Sequence, residues 1–205
     1  MKEYIYLKSN DGILIATSNK GKVKEFKKLF QNHNIFSLTD LNITDAIEDG
    51  SSFLENALIK AKHGAKESKK YSIADDSGLV VPGLDFEPGI FSARYAGENA
   101  TDKENRDKVI KKLNEKNVKS LDAYYICVLV GVRDENDSIP IIAQGKIHGK
   151  ISVESSGEGG FGYDKIFYPN GYSCSMASIE QDVKNKISHR AIATKKFMEI
   201  FNNQL

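Results

Sequence analysis

Thr17-Ser18-Asn19-Lys20-Gly21-Lys22 stands between a short apolar run and a helical pattern, a placement suited to holding an anion. The first N–H groups of a helix have no partner within it, and the aligned peptide dipoles give that end partial positive charge. Hydroxyl, amide and ammonium groups beside them add donors for phosphate oxygens. The hexapeptide does not match GxxxxGK[ST], so a P-loop fold is not implied. Read alone, it serves equally as a polar strand-to-helix turn.

Two other groups of residues could carry chemistry. Glu48-Asp49-Gly50 and Asp75-Asp76-Ser77-Gly78 supply carboxylates, which suit Mg²⁺, an ion that prefers oxygen ligands and is often shared with substrate phosphates. In an extended chain Asp75 and Asp76 point to opposite faces, so one would face a cleft and its neighbour would be structural. Paired aspartates before glycine also read as a turn in which they bond their own backbone. Glu158-Gly159-Gly160-Phe161-Gly162-Tyr163-Asp164 joins backbone freedom to two aromatic faces, Phe161 and Tyr163, that could stack on a base. Asp164 could accept from a ring N–H. The alternative is a glycine-rich loop whose aromatics fold into the core.

The elements that must position these groups follow from pattern. Ile13-Leu14-Ile15-Ala16 reads as a buried strand. A helix from about Lys20 to Phe30 places Val23, Phe26, Leu29 and Phe30 on one face. Ser52-x-x-Glu55 and Thr101-x-x-Glu104 are capping boxes that open helices to about Lys69 and Asn114. Ser72-Ile73-Ala74 is a short strand ending at the paired aspartates, and Ile35 to Leu38 is another. Ala123 to Arg133 and Ile139 to Gln144 flank a polar turn and form a β-hairpin, extended by Lys146 to Val153. Ser188 caps a last helix carrying Ile192, Phe197, Ile200 and Phe201. The expected fold is α/β: a mixed sheet flanked by helices, with the middle hairpins forming a lobe beside a cleft.

Helix starts favour acids and disfavour cations by up to about 1 kcal/mol. The helices at Ser52 and Thr101 obey, each with a Glu at the third position. Two others do not: Lys20 and Lys22 open one, and His189 and Arg190 open another. A bound polyanion shared by both ends would explain the two exceptions; side chains extending into water are the alternative.

Composition narrows the function classes. Lys plus Arg number 29 against 28 Asp plus Glu, a net charge of +1, so the chain lacks the basic excess of a nucleic-acid binder. Cys127 and Cys174 form no CxxC pair and the four histidines are scattered, which argues against zinc and against a disulfide framework. The N-terminus has no signal-peptide core, and the longest apolar stretch, Tyr124 to Val132, is too short to span a bilayer. A soluble, cytoplasmic protein without a membrane partner is expected.

Taken together, the ordered motifs resemble the inosine triphosphate pyrophosphatase group, the Ham1 family, over nearly the whole chain. They are Thr17-x-Asn19-x-x-Lys22-x-x-Glu25, Glu48-x-Gly50-x-Ser52-Phe53-x-Glu55-Asn56-Ala57-x-x-Lys60-Ala61, Ala74-Asp75-Asp76-Ser77-Gly78-Leu79, Pro88-Gly89-x-x-Ser92-Ala93-Arg94-Tyr95, Gly160-Phe161-Gly162-Tyr163-Asp164 and Ser188-His189-Arg190. The resemblance implies an elongated mixed α/β fold with two lobes around a central substrate cleft, one catalytic domain over residues 1–205, and a homodimer. It implies hydrolysis of ITP, dITP and XTP to monophosphate and pyrophosphate. Carried over by position, Thr17, Ser18, Asn19, Lys20, Gly21 and Lys22 would hold the triphosphate with Lys60 beside it. Glu48 and Asp76 would hold Mg²⁺, Asp76 would activate the attacking water, and Ser77 would touch substrate. Phe161, Gly162, Tyr163, Asp164, Lys184, His189 and Arg190 would bind the nucleotide and its 6-keto base. Ser18 stands where many relatives have Gly, residues 1–11 form an N-terminal extension, and Lys184 fits the spacing better than Lys186. A non-catalytic module that senses such nucleotides would share the loop and the aromatic site without needing Glu48 and Asp76 together.

Overall fold

Three fully buried residues, Ile13–Ile15, form strand β1 in this computed structural model, which describes residues 12–30 and 33–203. The N-terminal extension 1–11 lies outside the described residues. Helix α1, Lys20–Leu29, follows where expected, with Asn19 as its cap. Its apolar face is narrower than the periodicity predicts: Phe26 and Phe30 are buried, while Val23 and Leu29 are half-buried. Strand β2, Ile35–Ser37, runs parallel to β1 with Ile13 opposite Ile35.

Helix α2, Phe53–Ser68, starts at Ser52, whose Oγ accepts from Glu55 N at 3.2 Å. The reciprocal half of the capping box goes one residue further back, because Glu55 Oε2 accepts from Ser51 N at 2.6 Å and Ser51 Oγ at 2.7 Å. Ala57, Ala61 and Ala65 are buried along one face and Gly64 completes that stripe. A Cβ on Gly64 would stand 2.6 Å from Ser72 Oγ and 2.8 Å from Leu14 Cδ2. The glycine therefore lets α2 sit directly on the first strands, closer than any side chain permits.

Strand β3, Tyr71–Val80, corrects the expectation of a short strand ending in a turn: it is ten residues long and runs through Asp75-Asp76-Ser77-Gly78. Lysines from the helices meet both aspartates, so the strand can bury them without an aspartate turn. Helix α3, Asp102–Glu115, carries the full reciprocal capping box at Thr101 and Glu104. Strands β4, Ser120–Val132, and β5, Ile141–Ser152, are the expected hairpin, with β5 continuous where two segments were read. Strand β6, Phe167–Pro169, pairs antiparallel with β5. A seven-residue helix α4, Gln181–Ile187, was not foreseen; Ser188 ends it and then caps α5, His189–Asn203, accepting from Ala191 N at 3.1 Å.

Among the described residues, six strands form one mixed sheet in the order β2-β1-β3-β4-β5-β6, with β1 parallel to both neighbours. By internal contacts the chain divides into two compact units. The first comprises the residues up to Asp76, Val128–Gln144 and the segment from Ala193 onward; the second comprises Ser77–Cys127 and Gly145–Ile192. In the first, α5 contributes Phe197, which meets Phe30 edge-on at 6.3 Å between ring centroids. In the second, Leu79, Val109, Leu113, Tyr125, Tyr163, Phe167 and Met176 belong to one buried cluster.

Candidate active site

The first unit holds an acid–lysine network built from α1, α2, β3 and the segment before α2. Lys60 projects from the small-residue face of α2, and its Nζ lies 3.1 Å from Asp76 Oδ1 and 3.1 Å from Glu48 Oε2. The Lys60 and Asp76 side chains are each only 9% exposed and that of Glu48 is 32% exposed. Asn56, one turn before Lys60, donates to Asp76 Oδ2 at 3.3 Å and accepts from Gly50 N at 2.9 Å. Asp75, on the opposite side of the strand from Asp76, pairs with Lys22 at 3.0 Å.

The electrostatics follow from burial. Desolvation lifts the Asp76 pKa above its ordinary 3.8, against the opposing pull of Lys60 and Lys22. Desolvation also works against the Lys60 ammonium, but Asp76, Asp75 and Glu48 outweigh it and hold its pKa above 10.5. The result is a permanent cation lodged between two carboxylates. Hard oxygen donors converging on one positive charge are the donor set a divalent ion such as Mg²⁺ takes.

The Thr17–Lys22 loop is arranged differently from the expectation of free N–H groups. Asn19 Oδ1 accepts from Gly21 N at 2.9 Å and Lys22 N at 3.2 Å. Thr17 Oγ1 accepts from Asn19 N at 3.2 Å, and Asp45 Oδ1 accepts from Ser18 N at 3.3 Å. Four donors that a phosphate could use are thus satisfied by side-chain oxygens, one of them a carboxylate. Ser18, Asn19 and Lys20 are exposed, and Thr17 and Lys22 half-buried.

The second unit holds the other predicted residues. Phe161 is 37% exposed, with Lys184 Nζ 5.5 Å and the Arg190 guanidinium carbon 5.9 Å from its ring centroid. Lys184 sits on α4, is buried, and pairs with Asp164, whereas Lys186 is exposed. Asp164 Oδ2 also accepts from Phe161 N at 3.2 Å, so this carboxylate is already engaged in holding the loop and the lysine. Tyr163 corrects the stacking expectation. Its ring belongs to the buried cluster and its hydroxyl donates to Ser92 O at 2.8 Å, so only Phe161 presents an exposed aromatic face. His189 stacks on Tyr125 with centroids 4.7 Å apart and rings 7° from parallel. Arg190 is 2% exposed and its Nη2 donates to Ser77 Oγ at 3.1 Å.

Neither α1 nor α5 has an acid in its first turn, while α2, α3 and α4 do. Extension into water describes Lys20 but not Lys22, His189 or Arg190, each of which is tied to a named partner. Sequence reasoning missed Asn56, Asp45 and Tyr125. For Asn56 a signal existed: a polar pair at i and i+4 on a helical face otherwise lined by alanines.

A model of the Ham1 family matches residues 13–200. The chain is 47% identical to a dITP/XTP pyrophosphatase of Legionella pneumophila (strain Paris), over 88% of this chain and 93% of the relative. Among solved structures, a HAM1 protein from Coxiella burnetii superposes with a TM-score of 0.85 at 38% identity, covering 93% of this chain and 98% of that one. The Staphylococcus aureus Ham1 protein gives a TM-score of 0.81 at 36% identity, with coverage of 94% and 99%.

Proposed function

Because the chain belongs to the Ham1 family, we propose that it hydrolyses the deaminated purine nucleoside triphosphates ITP, dITP and XTP to monophosphate and pyrophosphate. The observation that carries this reading is the Lys60 ammonium seated 3.1 Å from each of two carboxylates, Glu48 and Asp76. A nucleotide sensor has no use for that arrangement, whereas a pyrophosphatase needs both acids and a phosphate-seeking cation.

Glu48 and Asp76 would hold Mg²⁺, whose charge would neutralise the phosphate chain and lower the pKa of a bound water. Asp76 would take the proton of the attacking water as its general base. With the carboxylates engaged by a divalent ion, Lys60 would be released from Glu48 and Asp76 to meet the triphosphate. Thr17, Ser18, Asn19, Lys20, Gly21 and Lys22 would hold the same chain, which requires Asn19 and Asp45 to yield their N–H partners to it.

Base recognition would fall to the second unit. The Phe161 ring would stack on the purine, with Lys184, His189, Arg190 and Ser77 contacting the nucleotide. Tyr163 and Asp164 would act by holding the loop and Lys184. Lysine and arginine only donate, so they suit a 6-keto oxygen and leave a 6-amino group without a partner. Unpaired buried polar groups cost roughly 1–3 kcal/mol each, which would select against adenine. Residues 1–205 would act as one catalytic domain. We propose a homodimer, which rests on the family resemblance, and a cytoplasmic location, which suits a chain with two cysteines far apart in sequence and no CxxC pair. No described helix is long and apolar enough to cross a membrane.

The test is pyrophosphate release from ITP, dITP, XTP, ATP and GTP, with Mg²⁺ and with EDTA. Fast Mg²⁺-dependent turnover of the first three is expected. Equal rates on ATP and ITP would refute base selection, and tight ITP binding without any product would favour the sensor.

A further inference from the structure

Gly162 lies beside the exposed Phe161 ring and has φ +59°, in the left-handed region where glycine is favoured and rotation is least restrained. Helix α3 holds it on both sides. Asp102 Oδ2 accepts from Gly162 N at 2.7 Å, and Arg106 Nη1 donates to Gly162 O at 2.6 Å. The first bond fixes the peptide plane before the Gly162 Cα and the second fixes the plane after it, so together they set φ and ψ of that residue. Asp102 and Arg106 are four residues apart, hence on one face of α3. An Asp–Arg pair at that spacing ordinarily contributes a few tenths of a kcal/mol on a helix surface; here both members reach across to a loop. The neighbouring bonds complete the frame: Phe161 N donates to Asp164 Oδ2, and Tyr163 N donates to Tyr125 Oη at 3.1 Å.

We propose that Asp102 and Arg106 are positioning residues for base recognition, which clamp Gly162 so that the Phe161 ring is held ready to stack on the purine. The inference rests on the base-binding role proposed above for Phe161. Neither residue need touch substrate. Their effect is to remove, before the nucleotide arrives, the backbone freedom that a glycine-rich loop would otherwise lose on binding.

The test separates base from phosphate. Affinities for inosine monophosphate and for inorganic tripolyphosphate, which lacks a base, are measured calorimetrically for the native protein, Asp102→Ala, Asp102→Asn and Arg106→Leu. Asp102→Ala and Arg106→Leu are expected to weaken inosine monophosphate about 10-fold, a loss within the range of one base-stacking contact, while tripolyphosphate changes less than about 2-fold. Asp102→Asn keeps an acceptor oxygen and is expected to restore most of the affinity. The chain contains no tryptophan, so Phe161→Trp supplies a single reporter whose fluorescence anisotropy should fall when Asp102→Ala is added. Unchanged nucleotide affinity and anisotropy in the variants would overturn the clamp alone. Equal losses for both ligands would show a merely structural role and overturn it too. Native protein that binds tripolyphosphate but no inosine monophosphate would overturn the base-binding reading and the clamp with it.

Discussion

Replacing Lys60 with methionine keeps an unbranched stem of the same four atoms' reach and removes the terminal ammonium from the centre of the acid network. Two carboxylates then lose a cation 3.1 Å away, and Asp76 keeps Asn56 Nδ2, at 3.3 Å, as a neutral donor. Removing one partner of a buried ion pair costs about 3–5 kcal/mol, because the other charge stays behind without compensation. The Glu48 side chain is 32% exposed and therefore screened, which puts the expected loss near the lower end, about 3 kcal/mol. For a chain of this length each kcal/mol moves the melting temperature about 2–4 °C, so Lys60→Met should melt about 6–12 °C below the native protein in EDTA. Mg²⁺ should close much of that gap. It meets no competing ammonium in the variant, and a ligand at 100 times its Kd stabilises by about 2.7 kcal/mol, nearly the whole loss. Differential scanning calorimetry of both proteins, in EDTA and across a Mg²⁺ titration, reads the effect directly. No gap in EDTA would refute the buried-pair reasoning; a gap that Mg²⁺ leaves unchanged would refute the claim that ion and ammonium share the carboxylates.

Other outcomes follow from the same contacts. Asp76→Asn should lower kcat by about 100-fold or more while retaining tripolyphosphate binding, and the acid limb of kcat/KM in the native protein should move to lower pH as Mg²⁺ is raised, because a bound cation opposes the desolvation that lifts the Asp76 pKa. Both are read from steady-state rates at varied pH and metal. Gly64→Ala places a methyl group 2.6 Å from Ser72 Oγ and 2.8 Å from Leu14 Cδ2, and should cost about 1–3 kcal/mol in a urea melt. At Asp137, burial alone would raise the pKa, but hydrogen bonds from Arg133 and the backbone of Ile139 bring it down to about 2. A depressed carboxyl stabilises the fold above its unfolded pKa and loses that contribution as pH falls from about 4 to about 2. Discounted for the 45% exposure of Arg133, the contribution is roughly 1–2 kcal/mol, so Asp137→Asn should destabilise at pH 7 and flatten that acid limb of a stability profile.

How far the site could be read from the chain depended on whether its chemistry was local. The capping boxes at Ser52 and Thr101 and the breach of helix-end electrostatics at Lys20, Lys22, His189 and Arg190 are properties of neighbouring residues, and all were visible. The fate of Tyr163 was not. A glycine-rich segment bearing two aromatics says nothing about which ring turns inward, and that was settled by Ser92, distant in sequence, offering its carbonyl. Helix α4 leaves no clear signature along the chain because seven residues are too few to establish a period. The paired aspartates read as a turn because their countercharges, Lys22 and Lys60, come from elements more than ten residues away.

By itself, then, the sequence determined the order and kind of most elements, the residues that could bind phosphate, metal and base, and the family. Those depend on hydrophobic periodicity, on capping chemistry and on ordered short motifs, all of which are written along the chain. Only the tertiary structure decided what each group does before substrate arrives: Lys60 lodged between Glu48 and Asp76, Asn19 and Asp45 holding the loop's N–H groups, Asp102 and Arg106 clamping Gly162. The physical reason is that buried charges and polar groups must find partners wherever the fold brings them. Which partner that is depends on distance in space, which spacing along the chain does not encode.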